Sequence, residues 1–223
     1  MSRSAIRTNR SFIAVVAAAF AVVAVSVVAA NAAIGTTDAS FALTANPKFV
    51  NCLAKYPDDP SRPPTASVEV EKGNLNDRLT LHLRNIKPNL AFDLFTVQRS
   101  SLDAQGKPIS PAPSFGLAWY QSDVQASDNG GGNVKIQTVL ADQIFGVNLD
   151  ESPVNPINTF HVGFWFNDPN DAAGCGFDVT KPTPFNGEHR AGPLAMISVP
   201  DATTGLGPLC LNPDASQPSG CNP

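Results

Sequence analysis

Two of the three histidines in this 223-residue chain fall in one stretch, Phe160 to Val199, FHVGFWFNDPNDAAGCGFDVTKPTPFNGEHRAGPLAMISV. They are His161 and His189, with Asp168, Asp171, Asp178 and Glu188 between them in sequence. Two imidazoles and a carboxylate are enough for a mononuclear metal site, or for a general base with an acidic partner. Neither arrangement has diagnostic spacing here. The plainer reading of Glu188-His189-Arg190 is a solvated loop with surface ion pairs, which add little stability. Nucleophile and phosphate motifs are absent: there is no G-x-S-x-G, no G-x-G-x-x-G and no P-loop. A glycosidase-type carboxylate pair converges in space rather than in sequence, and nothing in the order of residues points to one.

Those residues need elements to position them. In Phe160 to Asn167 the alternation puts Phe160, Val162, Phe164 and Phe166 on a core face. His161, Gly163, Trp165 and Asn167 fall on the other face. That second face is either a polar or stacking surface with Trp165, or a cover over a structural histidine. Trp119 and Tyr120, adjacent in AWYQ, point to opposite faces, so at most one belongs to the core. The candidate ligand-binding residues are therefore His161, Trp165, His189 and Trp119.

The strands on either side read clearly. Val68 and Val70 alternate with Glu69 and Glu71, and Leu79, Leu81 and Leu83 alternate with Thr80, His82 and Arg84. Strict alternation means half-buried strands, with His82 on the solvent side. After the turn Lys87-Pro88-Asn89, AFDLFTVQ is a return strand with suitable β-branched and aromatic content. Residues 100–114 are a polar loop. FGLAWYQSDVQA and NVKIQTVL flank Ser127-Asp128-Asn129-Gly130-Gly131-Gly132 and predict a hairpin, because Asn-Gly and Gly-Gly adopt positive φ cheaply. Asp123, Asp128 and Asn129 lack EF-hand spacing, so this is a plain turn and not a calcium loop. A short helical turn is expected over 142–147, and a last strand over 193–199. The sequence therefore predicts an all-β, antiparallel Greek-key β-sandwich or barrel with long loops.

Residues 1–32 read as a signal peptide. Arg3, Arg7 and Arg10 precede an apolar run from Ser11 to Ala30 and the A-x-A site Ala30-Asn31-Ala32. The run is long enough that an uncleaved membrane anchor is the rival reading. Either way the remainder is exported, to the cell surface or the medium. Removing 32 of the 223 residues leaves 191, and 12 Lys and Arg against 19 Asp and Glu, a net charge of −7. Such a chain is a poor partner for nucleic acid or anionic membranes. Residues 33–66, with Pro47, Pro57, Pro60, Pro63 and Pro64, predict an irregular arm. The β-domain is expected over 67–199, and a Pro/Gly-rich tail over 200–223.

Cys52, Cys175, Cys210 and Cys221 suggest two disulfides in an exported chain, with three pairings open. Pairing Cys175 with Cys210 and Cys52 with Cys221 ties two loose segments to the core and is preferred; Cys210 with Cys221 is the alternative. No C-x-x-C spacing supports zinc.

Four pieces, taken in order, resemble the copper/zinc superoxide dismutase-like β-barrel superfamily, close to chordin-type extracellular domains. They are LTLHLRNIKPNLAFDLF, SDVQASDNGGGNVKI, NTFHVGFWFNDPND and AGPLAMISV, spanning about residues 67–199. The resemblance implies the scaffold without the redox chemistry. Where the family places a His-x-His pair on the return strand, this chain has Asp93 and Phe95, and a further histidine position holds Phe164 or Trp165. No cofactor is expected. The expected function is an exported, non-catalytic protein that binds an extracellular ligand or partner. A metal-dependent or hydrolytic enzyme centred on His161 and His189 is the alternative, and a structural envelope protein is the third.

Overall fold

The computed structural model describes residues 38–138, 140 and 160–210. The signal segment, the expected helical turn over 142–147 and Cys221 lie outside them. Eight strands form one antiparallel sheet that nearly closes into a barrel: β1 Ala39–Ala45, β2 Thr65–Glu71, β3 Asp77–Arg84, β4 Ala91–Val97, β5 Ala118–Gln125, β6 Gly132–Thr138, β7 His161–Phe166 and β8 Leu194–Ile197. Their order around the sheet is β5-β4-β7-β8-β1-β2-β3-β6. The all-β expectation holds.

One wall is built from the half-buried strands that alternation predicts. Val68 and Val70 of β2 lie opposite Leu81 and Leu79 of β3, which lie opposite Val134 and Ile136 of β6. In the facing wall, Phe92 and Leu94 of β4 pair with Phe166 and Phe164 of β7. The Phe92 ring packs on both phenylalanines, at centroid distances of 4.8 and 5.5 Å. Both walls bury their inner side chains in one core.

Residues 33–66 are not an irregular arm throughout. ASFALTA forms β1, which pairs with β2 from Ala39 to Leu43 and passes to β8 at Thr44 and Ala45. Phe41 and Leu43 alternate with Ser40, Ala42 and Thr44, a strand pattern in a segment otherwise dominated by its prolines. A single helical turn, α1 Val50–Leu53, follows and buries Leu53.

The expected hairpin is also different. Its turn forms: the Gly130 N–H donates to Ser127 O, and the Ser127 N–H to Gly131 O. Gly130 has φ 78°, and a Cβ there would lie 2.4 Å from Ile86 O. The arms do not form a ladder, however. β5 pairs with β4, and β6 pairs with β3. The turn therefore carries the chain from one wall to the other, because each arm already has a better apolar partner.

The preferred disulfide pairing is overturned. Cys52 bonds to Cys175, with Cα atoms 6.1 Å apart, tying α1 to the 3-10 helix Pro169–Cys175. Both elements place an apolar residue in the core, Leu53 and Ala172, which brings the two cysteines together. Cys210 is disulfide-bonded as well. The tail is not loose over its first ten residues: Leu206 and Leu209 are buried, and Leu209 bridges to Phe160.

Candidate functional site

β4 and β7 are buried on both faces. Behind the barrel wall, Phe95, Val97, Trp165, Leu194 and Ile197 form a second apolar cluster with Leu102, Phe115 and Phe185. Gly163 permits this close layer, since a Cβ there would stand 3.0 Å from Ile197 Cγ1. Phe185 stacks on Trp165 at 4.1 Å with planes 6° apart, and meets Phe95 and Phe115 edge-on.

Consequently two of the expected binding residues are not on a surface. Trp165 is 1% exposed and serves as packing. His161 is 4% exposed, and its Nδ1 lies 3.0 Å from Ser198 O, an acceptor, so Nδ1 carries the hydrogen. Burial pushes its pKa down to about 4, only partly opposed by that hydrogen bond. His161 is thus a neutral structural histidine at neutral pH. His189 is exposed with φ 55°, and its N–H donates to Asn186 O. Asn186 in turn donates to Asn167 O, beyond the far end of β7 from His161. Six residues of extended strand, roughly 20 Å, separate those ends, so the two histidines do not share a site. Among the described residues no group of three or more His, Cys, Asp or Glu side chains is placed to hold a metal ion. Trp119 and Tyr120 are both exposed, at 46% and 50%.

What the fold does bring together lies on the outer side of β4 and β5. A cavity of about 720 Å³ opens there, with Asp93, Phe95, Tyr120, Asp123, Asn167 and Glu188 in its lining. Its volume is within the usual range for small-ligand sites. Asp93 and Asp123 are directly opposed across β4 and β5. Tyr120 joins them through a β-bulge. The register slips between Leu94 and Phe95, so Leu94 faces Ser122 while Phe95 faces Tyr120, leaving Gln121 as the extra residue. In a regular strand Tyr120 and Asp123, three apart, would point to opposite faces. With the bulge both point outward, and the Tyr120 hydroxyl donates to Asp123 Oδ1 at 2.8 Å. Gln121 Nε2 donates to Thr96 Oγ1 at 2.9 Å, which holds the bulge.

The roof of the cavity is the segment 183–191. Thr183 and Ala191 exchange backbone hydrogen bonds of 2.8 and 3.0 Å. Asn186 Oδ1 accepts from the N–H groups of Glu188 and Arg190 at 3.0 and 2.8 Å. Phe185, seated in the aromatic cluster, fixes this tip against the barrel, and Glu188 joins the cavity lining.

The electrostatics are unusual. Asp93 is 2% exposed; its Oδ1 accepts from Asn167 Nδ2 at 3.0 Å, and its Oδ2 has no donor. Burial, the largest cause, raises its pKa to about 6; the Asn167 hydrogen bond opposes this and the neighbouring Asp123 adds to it. Tyr120 is pushed up to about 12, by burial first and then by its bond to Asp123. A smaller cavity lies against β2 and β3 beside His82, whose ring meets Asn133 Oδ1 at 2.7 Å and Glu69 at 3.7 Å.

The sequence reading did not name Asp93 as a site residue. Its one available signal was a lone acid inside the apolar run AFDLFTV, where an ionisable group is rarely buried without a purpose. No family model, curated protein or solved structure matches the chain.

Proposed function

We propose that the chain is an exported binding protein that takes a small polar ligand in the cavity between β4, β5 and segment 183–191. The observation that carries this reading is an aromatic wall, Phe95 and Tyr120, on which Asp93, Asp123, Asn167 and Glu188 converge. A concave site with a few directed polar groups is the usual form of a ligand pocket. Export is supported by the Cys52–Cys175 disulfide, a bond favoured in oxidising compartments. The resemblance to copper/zinc superoxide dismutase-like barrels is in keeping with this. The positions that match the family's paired histidines, Asp93 and Phe95, both line the cavity. On this reading a scaffold of that kind has exchanged metal ligation for carboxylate and aromatic recognition.

A Gly187→Trp variant tests the proposal. Gly187 lines the cavity, and a Cβ there would meet nothing within 4 Å, so a large side chain is tolerated at the mouth. A panel of sugars, polyols, amino acids and amines, screened by ligand-observed NMR, should yield binders that G187W rejects. If nothing binds, or G187W binds equally well, the proposal is wrong.

One observation favours a hydrolytic second reading: Asp93 keeps its proton to about pH 6 beside Asp123. A protonated and an ionised carboxyl side by side can divide general-acid and general-base roles. Turnover of chromogenic glycosides or esters between pH 5 and 7, lost in both D93N and D123N, would establish it; absence of turnover in the unaltered protein would remove it.

A further inference from the structure

We infer that the β4–β5 cavity takes an organic cation, a primary ammonium or guanidinium group, with its charge between Asp93 and Asp123 and its carbon skeleton along Tyr120. This rests on the cavity being a ligand site and adds the class of ligand.

Asp93 lines the cavity while almost wholly buried, and its Oδ2 has no donor. The groups facing it from the surrounding elements are acidic or neutral: Asp123 and Tyr120 on β5, Asn167 at the end of β7, and Glu188 from the roof. Among the described residues no Lys or Arg lines the cavity. Nor does any cation act appreciably on Asp93, whose charge is shaped by burial, Asn167 and Asp123 alone. An anionic ligand would meet three carboxylates. A neutral hydroxyl would donate to one carboxylate but leave Asp93 and Asp123 repelling each other once both are ionised. A cation donates and also cancels that repulsion.

A metal ion is a poorer fit, because several oxygens would have to converge at about 2.0–2.6 Å, and no such group is present among the described residues. An ammonium or guanidinium needs only hydrogen-bond distances. Tyr120 supplies the remaining feature. Its ring is fixed at both ends, by its hydroxyl on Asp123 and by an edge contact with Phe95 at 5.6 Å, yet half of the residue remains exposed. A cation over such a ring is attracted by its quadrupole.

The probes are n-butylammonium and methylguanidinium, titrated into the purified ¹⁵N-labelled protein at pH 7.5 and low salt, beside n-butanol, butyrate and glucose. Both cations should shift the backbone amides of Asp93, Tyr120 and Asp123, and butanol and butyrate should not. D123N and E188Q change exposed residues and preserve the fold; each should weaken binding, D123N by about tenfold, a loss of about 1.4 kcal/mol. Affinity should also fall below pH 6, as Asp93 takes up its proton in the presence of Asp123, Glu188 and Tyr120. If glucose shifts those amides and the cations do not, the cavity is a ligand site and the cation inference is overturned. If no probe shifts them, both readings fail. Cation binding that is unchanged in D123N also overturns the inference.

Discussion

A carboxylate inside an apolar strand costs several kcal/mol unless something answers its charge. At Asp93 only the Asn167 amide does so directly, and Asp123 opposes it. Its folded pKa of about 6 lies above the unfolded value near 3.8, so its contribution is fully present below pH 3.8 and is lost as pH rises through 6. At about 1.4 kcal/mol per pKa unit, the ionised side chain destabilises the protein at pH 8 by no more than roughly 3 kcal/mol. Asp93→Asn removes the charge, keeps an acceptor for Asn167 and offers a donor to Asp123. It should therefore raise stability at pH 8 by about 2 kcal/mol and change it little at pH 4. Urea unfolding at the two pH values checks this, and a destabilised variant at pH 8 would show that the ionised carboxylate is better satisfied than its contacts indicate. The pairing with Asp123 was hidden in the sequence because the two residues lie 30 positions apart. Only the β4–β5 register joins them.

Among the elements, legibility followed solvent exposure. β2 and β3 alternate because one face meets water. β7 is buried on both faces, so its alternation identified the Phe164 face as core but could not show that Trp165 and His161 are covered too. Trp165 is covered by Phe115 and Phe185, and His161 by Ser198 and Gly207, all in segments that read only as loops or strand ends. The β5 bulge was equally silent, since a one-residue slip leaves no compositional mark. Its effect is large, because it alone puts Tyr120 and Asp123 on one face. Because the bulge brings Tyr120 to Asp123, Asp123→Ala should remove the acceptor and the neighbouring charge and lower the Tyr120 phenol pKa from about 12 part of the way toward the ordinary value near 10. Spectrophotometric titration reads this directly, since Tyr56 is the only other tyrosine. An unchanged high pKa would mean that Asp123 does not hold the Tyr120 hydroxyl.

At the scale of the molecule, two ionisable groups oppose each other. His161 has a depressed folded pKa of about 4, so its contribution is present above the unfolded value of 6.5 and is lost as pH falls through 4. Asp93 does the reverse over nearly the same window. The pair should keep stability nearly level between pH 4 and 6. D93N alone should lose stability on acidification, and His161→Gln alone should gain it; parallel profiles for all three proteins would refute the assignment. The Cys52–Cys175 bond has a sequence separation of 123, for which the loss of unfolded-chain entropy approaches 5 kcal/mol. Replacing both cysteines with alanine should cost about 2–5 kcal/mol, seen as a lower unfolding midpoint. A change below about 0.5 kcal/mol would mean that the core contacts of Leu53 and Ala172 already hold the two segments.

β1 has a further consequence, for the order in which the fold can be acquired. Its first five residues find β2 close by in sequence, but Thr44 and Ala45 must wait for Ile197 and Met196 of β8. A chain emerging N-terminus first, from a ribosome or a translocation channel, has seven strands available before the sheet can join β7 to β1. Closure is thus a late, long-range event, the kind that slows folding and leaves strand edges bare meanwhile. The sheet is whole only after residue 197 is free, so its two walls stay unjoined through β1 and β8 until then.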